Sequence, residues 1–303
     1  MDSNQSKHSD PDFRFQHFLS DSKPGGGAAL IGFPCDIGVS ENKGRTGASK
    51  APELIRQRLF SLTPHPKYYT RHTEYLSTVF NHDDLKLTSD LAENQNQLSE
   101  IVAEYLQVNT IPVILGGGHG TSYGHFLGYT RTETEVSIIN IDAHTDVRPL
   151  RNGQGHSGSP FRQALEHNSF LCKDYSVFGL NPESVSRDHY HYVSGKGGEL
   201  RYRDETDRAS VMSHLNNLNT DAVMVTMDMD AVSQSAAPGV SAPAAQGLTP
   251  DLWLKLAFEF GKNRKVRSFD LCEVNPEFDV DNQTVRLAAL TVWYFLLGLS
   301  LRE

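Results

Sequence analysis

The chain is poor in the features that would take it out of a reducing compartment, into a bilayer or onto a polyanion. Its three cysteines, Cys35, Cys172 and Cys272, lie far apart and form no CxxC pair. So low and odd a count excludes a disulfide framework and leaves the thiols as small buried hydrophobes. No stretch reaches the ~18 apolar residues of a membrane span, and the polar start M-D-S-N-Q-S-K-H-S-D lacks a signal peptide's hydrophobic segment. Basic residues are outnumbered, 28 Lys and Arg against 37 Asp and Glu, for a net charge of −9. That balance argues against nucleic acid as a partner. The expectation is a cytoplasmic protein with neither membrane nor nucleic-acid contacts.

What is present reads as globular α/β. Residues 1–27 are polar and end in K-P-G-G-G, which predicts a flexible N-terminal arm ahead of a single domain over 28–303. Short apolar runs at 28–33, 111–115, 136–141, 174–180, 221–227 and 266–271 are strand candidates, several without polar interruption, as suits strands covered on both faces. Helical periodicity recurs at 91–107, 205–217, 250–262 and 283–300, and Ser49 reads as the N-cap of a helix with Pro52 in its first turn. The alternation predicts a three-layer α/β/α sandwich with a mostly parallel sheet. In such sheets ligands bind beyond the carboxyl ends of the strands.

The polar residues of interest follow the apolar runs. After 111–115 comes G-G-G-H119-G; after 136–141 comes D142-A-H144-T-D146; after 221–227 comes D228-M-D230; after 266–268 comes F-D270-L-C-E273. In extended chain the 142/144/146 and 228/230 side chains share a face. Carboxylates crowded in this way repel and lose hydration unless a cation sits among them. His119, Asp142, His144, Asp146, Asp228 and Asp230 are too hard a set for a thiolate-type zinc site, too nitrogenous for calcium, and more than one ion needs. Two divalent ions would use them all and cancel four aspartates; Mn2+ suits the set best.

G-G-G-H-G, D-A-H-T-D, M-D-M-D, A-P-G-V-S-A-P at 237–243 and E-V-N-P at 273–276 stand in the order found in the ureohydrolases. The chain thus resembles the arginase and agmatinase family from residue 28 to 300. The resemblance implies an arginase-like fold and a binuclear manganese site. One ion would be held by His119, Asp142, Asp146 and Asp228, the other by Asp142, His144, Asp228 and Asp230, with Asp142 and Asp228 bridging. It implies attack on a planar amidine or guanidine carbon by hydroxide shared between the ions. His156 would be the proton shuttle and Glu273 the acid that orients the cationic nitrogens. It also implies a homo-oligomer, trimer or hexamer. The chain departs from the family pattern at Ser233, where D-x-D-x-x-D has its third acid, and at Gly118, where many members carry Asp.

Three features are similar to the formimidoylglutamase branch: Arg148 in D-V-R-P-L, the segment H-S-G-S-P-F-R162-Q, and A-A-P-G-V-S-A-P-A-A. N-formimidoyl-L-glutamate carries two carboxylates, and Arg148, with Arg45 and Arg162, could grip them with bidentate forks. The reading is therefore Mn2+-dependent hydrolysis of that acidic amidine to L-glutamate and formamide, a step of histidine breakdown. The alternatives are a guanidine hydrolase releasing urea and a non-catalytic regulatory member of the family.

Overall fold

Uninterrupted apolar strands can only be stable when both faces are covered, and the computed structural model, which describes residues 13–23 and 25–302, covers them. Eight strands form one sheet: β1 Ala28–Phe33, β2 Val79–Asn81, β3 Ile111–Gly116, β4 Val136–Ile141, β5 Cys172–Leu180, β6 Leu200–Tyr202, β7 Val223–Asp228 and β8 Val266–Cys272. Their order is β2-β1-β3-β8-β7-β4-β5-β6, and every pairing is parallel. Each residue of β1, β3, β4 and β7 is buried.

Helices Ala51–Phe60, Arg208–Asn217, Pro250–Lys262 and Gln283–Ser300 bury Ile55, Leu215, Trp253 and Phe295 with one face of the sheet. On the other face lie Leu91–Gln107 and Thr121–Arg131, through Leu98, Val102 and Phe126. The three layers and the parallel sheet match the expectation. All six strand runs recur, shifted by at most two residues at an end. The two edge strands β2 and β6 span three residues each, too few for a hydrophobic period to show.

Two local readings need correction. Ser49 does not cap a helix: it lies inside a one-turn 3-10 segment, Ala48–Lys50, and its N–H donates to Asp36 Oδ2 at 3.3 Å. The backbone already turns before Ala51, so no side-chain cap is required there. The arm expected over 1–27 is in part packed. Phe15 is fully buried, its N–H donates to Leu62 O at 2.8 Å, and Ser20 N–H donates to Val79 O at 2.8 Å, beside edge strand β2. A polar composition hid one deeply buried aromatic ring. Residues 1–12 lie outside the described residues. Among those described, no helix is long and apolar enough to cross a membrane.

β3, β8, β7 and β4 are neighbours at the centre of the sheet, so their carboxyl ends open on one crevice. Behind them, Pro250–Lys262 and Gln283–Ser300 approach to backbone contact. A Cβ on Gly261 would stand 2.1 Å from Phe295 O, and one on Gly298 would stand 2.2 Å from Phe258 O. A methyl group there must push the helices apart. Gly261→Ala is expected to lower stability by ~2–3 kcal/mol in urea titration; an unchanged midpoint would refute this close fit.

Candidate functional site

β4 ends at Ile141, and the extended alternation ends with it. Asp142 Oδ1 accepts the N–H of His144 at 2.7 Å, which turns the chain out of the strand. Asp146 then adopts a left-handed backbone, φ 45°, that swings its carboxylate back beside Asp142. The same turn recurs next door, where β7 ends and Asp228 Oδ1 accepts the N–H of Asp230 at 2.8 Å. The three polar residues after β4 converge as expected, by two tight turns and not by extended geometry.

The structure brings all six expected ligands together in two overlapping groups. Donor atoms of His119, Asp142, Asp146 and Asp228 lie within 4.8 Å of one another, as do those of Asp142, His144 and Asp230. Asp142 belongs to both: its Oδ2 lies 3.3 Å from His119 Nδ1 and its Oδ1 3.4 Å from His144 Nδ1. Asp228 belongs to the first group, with its other oxygen accepting the Asp230 amide, and it lines the same pocket as His144 and Asp230.

The electrostatics of this set suit a cation. Three carboxylate oxygens face one ring nitrogen, His119 Nδ1, at 2.9 Å (Asp146), 3.0 Å (Asp228) and 3.3 Å (Asp142). One proton cannot serve three acceptors. Nε2 is spent elsewhere: Thr226 gives its hydroxyl hydrogen to Asp270 at 2.6 Å, so it accepts from Nε2 at 2.9 Å, and the Nδ1 lone pair is left facing the carboxylates. Phe161 packs edge-on against the ring at 5.2 Å and fixes its plane. Burial, then the charges of Asp230 and Asp142, pushes the Asp228 carboxyl well above its ordinary range; burial likewise raises Asp146 and Asp230. Burial also opposes charge on His119, yet the negative charge of Asp228, Asp142 and Asp146 around Nδ1 raises its affinity for a positive species, a proton or a cation. Against its burial, the two imidazoles hold Asp142 below its ordinary range, while Asp146, Asp228 and Asp230 resist ionising beside it. Divalent cations reconcile such a set, and the oxygen-rich donors with two imidazoles fit two such ions.

Glu273 follows β8 and closes the crevice. It sits at φ 64°, a strained backbone for a residue with a Cβ. Its Oε1 accepts the N–H of His119 at 2.7 Å, while Oε2 is buried with no hydrogen-bond partner among the described residues. Burial pushes this carboxyl up to about 7. The departure at Gly118 follows from the same contact: a Cβ there would lie 2.3 Å from Val39 and 3.2 Å from Glu273 Oε1, so no aspartate fits. Ser233 lies in a loop after β7 and bonds to Ser235 at 2.9 Å, apart from the ligand groups.

One pocket joins these parts. His144, Asp146, Asp228, Asp230 and Glu273 line its floor, and Asn42, Arg148, Ser157 and Ser241 its polar wall. Of the three expected arginines, Arg148 lines this pocket and Arg45 and Arg162 do not. Arg45 donates to Ser241 O at 3.1 Å and Val240 O at 2.6 Å and lies 4.0 Å over the Phe278 ring, pinning two loops together. Arg162 stacks on Tyr192 at 4.3 Å, pairs with Glu166 at 3.1 Å and donates to Val147 O at 3.2 Å. Each guanidinium is committed to the fold.

His156, expected as the proton shuttle, is likewise absent from the pocket lining. Its Nδ1 accepts the Gly158 N–H at 3.1 Å, so Nε2 donates to Pro149 O at 3.1 Å. It is buried, and burial lowers its proton affinity. Both ring nitrogens bind backbone, which makes it a brace for the loop carrying Arg148. Sequence reasoning also missed the groups behind the ligands. Asn140 Nδ2 donates to Asp142 Oδ2 at 2.9 Å, and Thr226, whose hydroxyl donates to Asp270, accepts from His119 Nε2. Continuing the two-residue alternation inward from Asp142 and Asp228 would have found Asn140 and Thr226.

Comparison with known proteins agrees with this geometry. Formimidoylglutamase of Lysinibacillus sphaericus (strain C3-41) is 36% identical over 286 residues, covering 90% of this chain and 85% of that protein. Formimidoylglutamase of Vibrio vulnificus (strain YJ016) is 35% identical over 291 residues, covering 88% and 83%. Among solved structures, formiminoglutamase of Trypanosoma cruzi with Mn2+ superposes with a TM-score of 0.88 at 29% identity, covering 96% of this chain and all of that one. The Arginase family model matches residues 27–298. With that match, and with two histidines and four aspartates gathered at the carboxyl ends of β3, β4 and β7, the chain belongs to the Arginase family.

Proposed function

We propose that this protein is a formimidoylglutamase, hydrolysing N-formimidoyl-L-glutamate to L-glutamate and formamide with two Mn2+ ions. The observation that carries the reading is a single pocket in which a carboxylate-rich metal cradle and Glu273 face one guanidinium, that of Arg148. The similarity to proteins named formimidoylglutamase supports the same substrate. His119, Asp142, Asp146 and Asp228 would hold one ion, and Asp142, His144, Asp228 and Asp230 the other. Bound there, two divalent ions supply a water activated at neutral pH and a Lewis acid for the substrate.

The chain's own groups do the rest. The free Oε2 of Glu273 accepts an N–H from the amidinium, and Arg148 meets a carboxylate at the other end of the substrate. The reacting carbon is thereby held between them. Attack of water oxygen on that carbon and loss of its bond to the glutamate nitrogen require a proton on the departing amine. Since both His156 ring nitrogens are bonded to backbone, Glu273, whose Oε2 faces the pocket, is the group placed to carry that proton. The homo-oligomer, trimer or hexamer, carried by the family resemblance is part of the same proposal and is checked by light scattering.

The deciding experiment incubates the Mn2+-loaded protein with formimidoylglutamate, arginine, agmatine and guanidinobutyrate. Formamide and glutamate are expected from the first; preferential urea release from the others would favour a guanidine hydrolase instead. Fewer than one metal per chain after loading would favour a non-catalytic member. Asp228→Asn should lose bound metal, read by elemental analysis, together with nearly all turnover. For His156→Asn the expected loss falls mainly on KM, with kcat kept within about tenfold. A fall in kcat of a hundredfold or more at constant KM would return the proton-shuttle role to His156.

A further inference from the structure

We infer that Asn42, a residue outside the metal and catalytic sets, determines substrate choice by holding Arg148 and Ser157 together as a two-donor clasp for carboxylate. The inference rests on the reading above that the substrate is a dicarboxylate. Asn42 ends the short helix Ile37–Glu41, which follows β1 and lies against the loop between β4 and helix Pro160–Leu165. Its single amide faces both ways. Oδ1 accepts from Arg148 Nη1 at 3.2 Å, and Nδ2 donates to Ser157 Oγ at 3.2 Å.

The direction of these bonds matters. Because Ser157 Oγ accepts from Asn42, its own hydrogen is left to donate, and among the described residues no acceptor takes it. Arg148 spends one nitrogen on Asn42 and keeps the rest of its fork. All three side chains line the metal-cradle pocket. An arginine on an exposed loop ordinarily loses much of its binding contribution to rotamer freedom. Here the side chain lies across Gly158, where a Cβ would stand 2.9 Å from Arg148 Cδ and 3.0 Å from Asn42 Nδ2. The loop beneath is pinned in turn: Ser157 N–H donates to Gly38 O at 3.0 Å, Arg148 N–H to Gly158 O at 2.8 Å, and Arg151 to Glu41 O at 2.6 Å. The helix thus presets two donors of a carboxylate site before any ligand arrives, and Asn42 is its positioning residue.

The test is a double-mutant cycle read by calorimetry on Mn2+-loaded protein, with glutarate as a non-reacting dicarboxylate and butyrate as its monocarboxylate control. Asn42→Ala and Arg148→Ala are each expected to weaken glutarate roughly ten- to a hundredfold, and the double variant no more than Arg148→Ala alone. Metal content and melting temperature should stay at their original values, and glutarate should lose more affinity than butyrate. In turnover, KM for formimidoylglutamate should rise while kcat changes little. Additive losses, or unchanged glutarate binding in Asn42→Ala, would overturn the clasp. Should Asn42→Ala fail to fold, Asn42→Asp decides: it keeps an acceptor for Arg148, cannot donate to Ser157 and cancels the local charge, so glutarate binding must be lost. The cycle reads dicarboxylate binding without catalysis, so a failed clasp is distinguishable from a protein that simply acts on another amidine.

Discussion

Mutual repulsion among carboxylates in a nearly dry crevice is the constraint that shapes the rest of this molecule. Two such charges 4 Å apart repel by about 4 kcal/mol at an effective dielectric of 20, and four aspartates and Glu273 share this edge. The chain answers with fixed donors. Asp142 receives the His144 amide and the Asn140 side chain, Asp228 receives the Asp230 amide, and Glu273 receives the His119 amide. These bonds also shape the turns that leave β4, β7 and β8. The groups that would coordinate metal therefore fold the backbone that presents them, and local turn geometry and site chemistry are one set of interactions.

Much of this was legible from residue order. Uninterrupted apolar runs located six strands because burial on both faces leaves no room for polar alternation. Polar residues at the ends of those runs located the ligands because a parallel sheet exposes its carboxyl edge. Legibility ended where a side chain's partner lies far along the chain. Nothing near Arg45 or Arg162 announces Phe278 or Tyr192, so all three arginines looked alike until their partners were visible. The partners of His156 were equally hidden: a loop histidine with two backbone partners has the same sequence signature as one facing solvent. Helix Thr121–Arg131 escaped notice because Gly124 and Gly128 interrupt its pattern, the latter where Val102 would meet a Cβ at 2.3 Å.

Cys35 shows the opposite case, where the structure agrees with the sequence reading of a small buried hydrophobe. Its thiol is buried, faces the Asn94 amide at 4.0 Å, and is pushed up by burial. A thiol that resists forming thiolate makes a poor redox sensor. The residue belongs with Phe33 and Leu98 as packing material.

The ligands and the residues that choose the substrate are anchored differently. The first hang on three central strands whose spacing is set by a continuous hydrogen-bond ladder; the second sit on a loop stitched to a five-residue helix by one asparagine amide and two bonds to helix carbonyls. Over generations of drift these two parts should age at different speeds. Changes to the loop can redirect the protein to a new amidine while the old cradle goes on working, so descent would preserve the reaction more faithfully than its object.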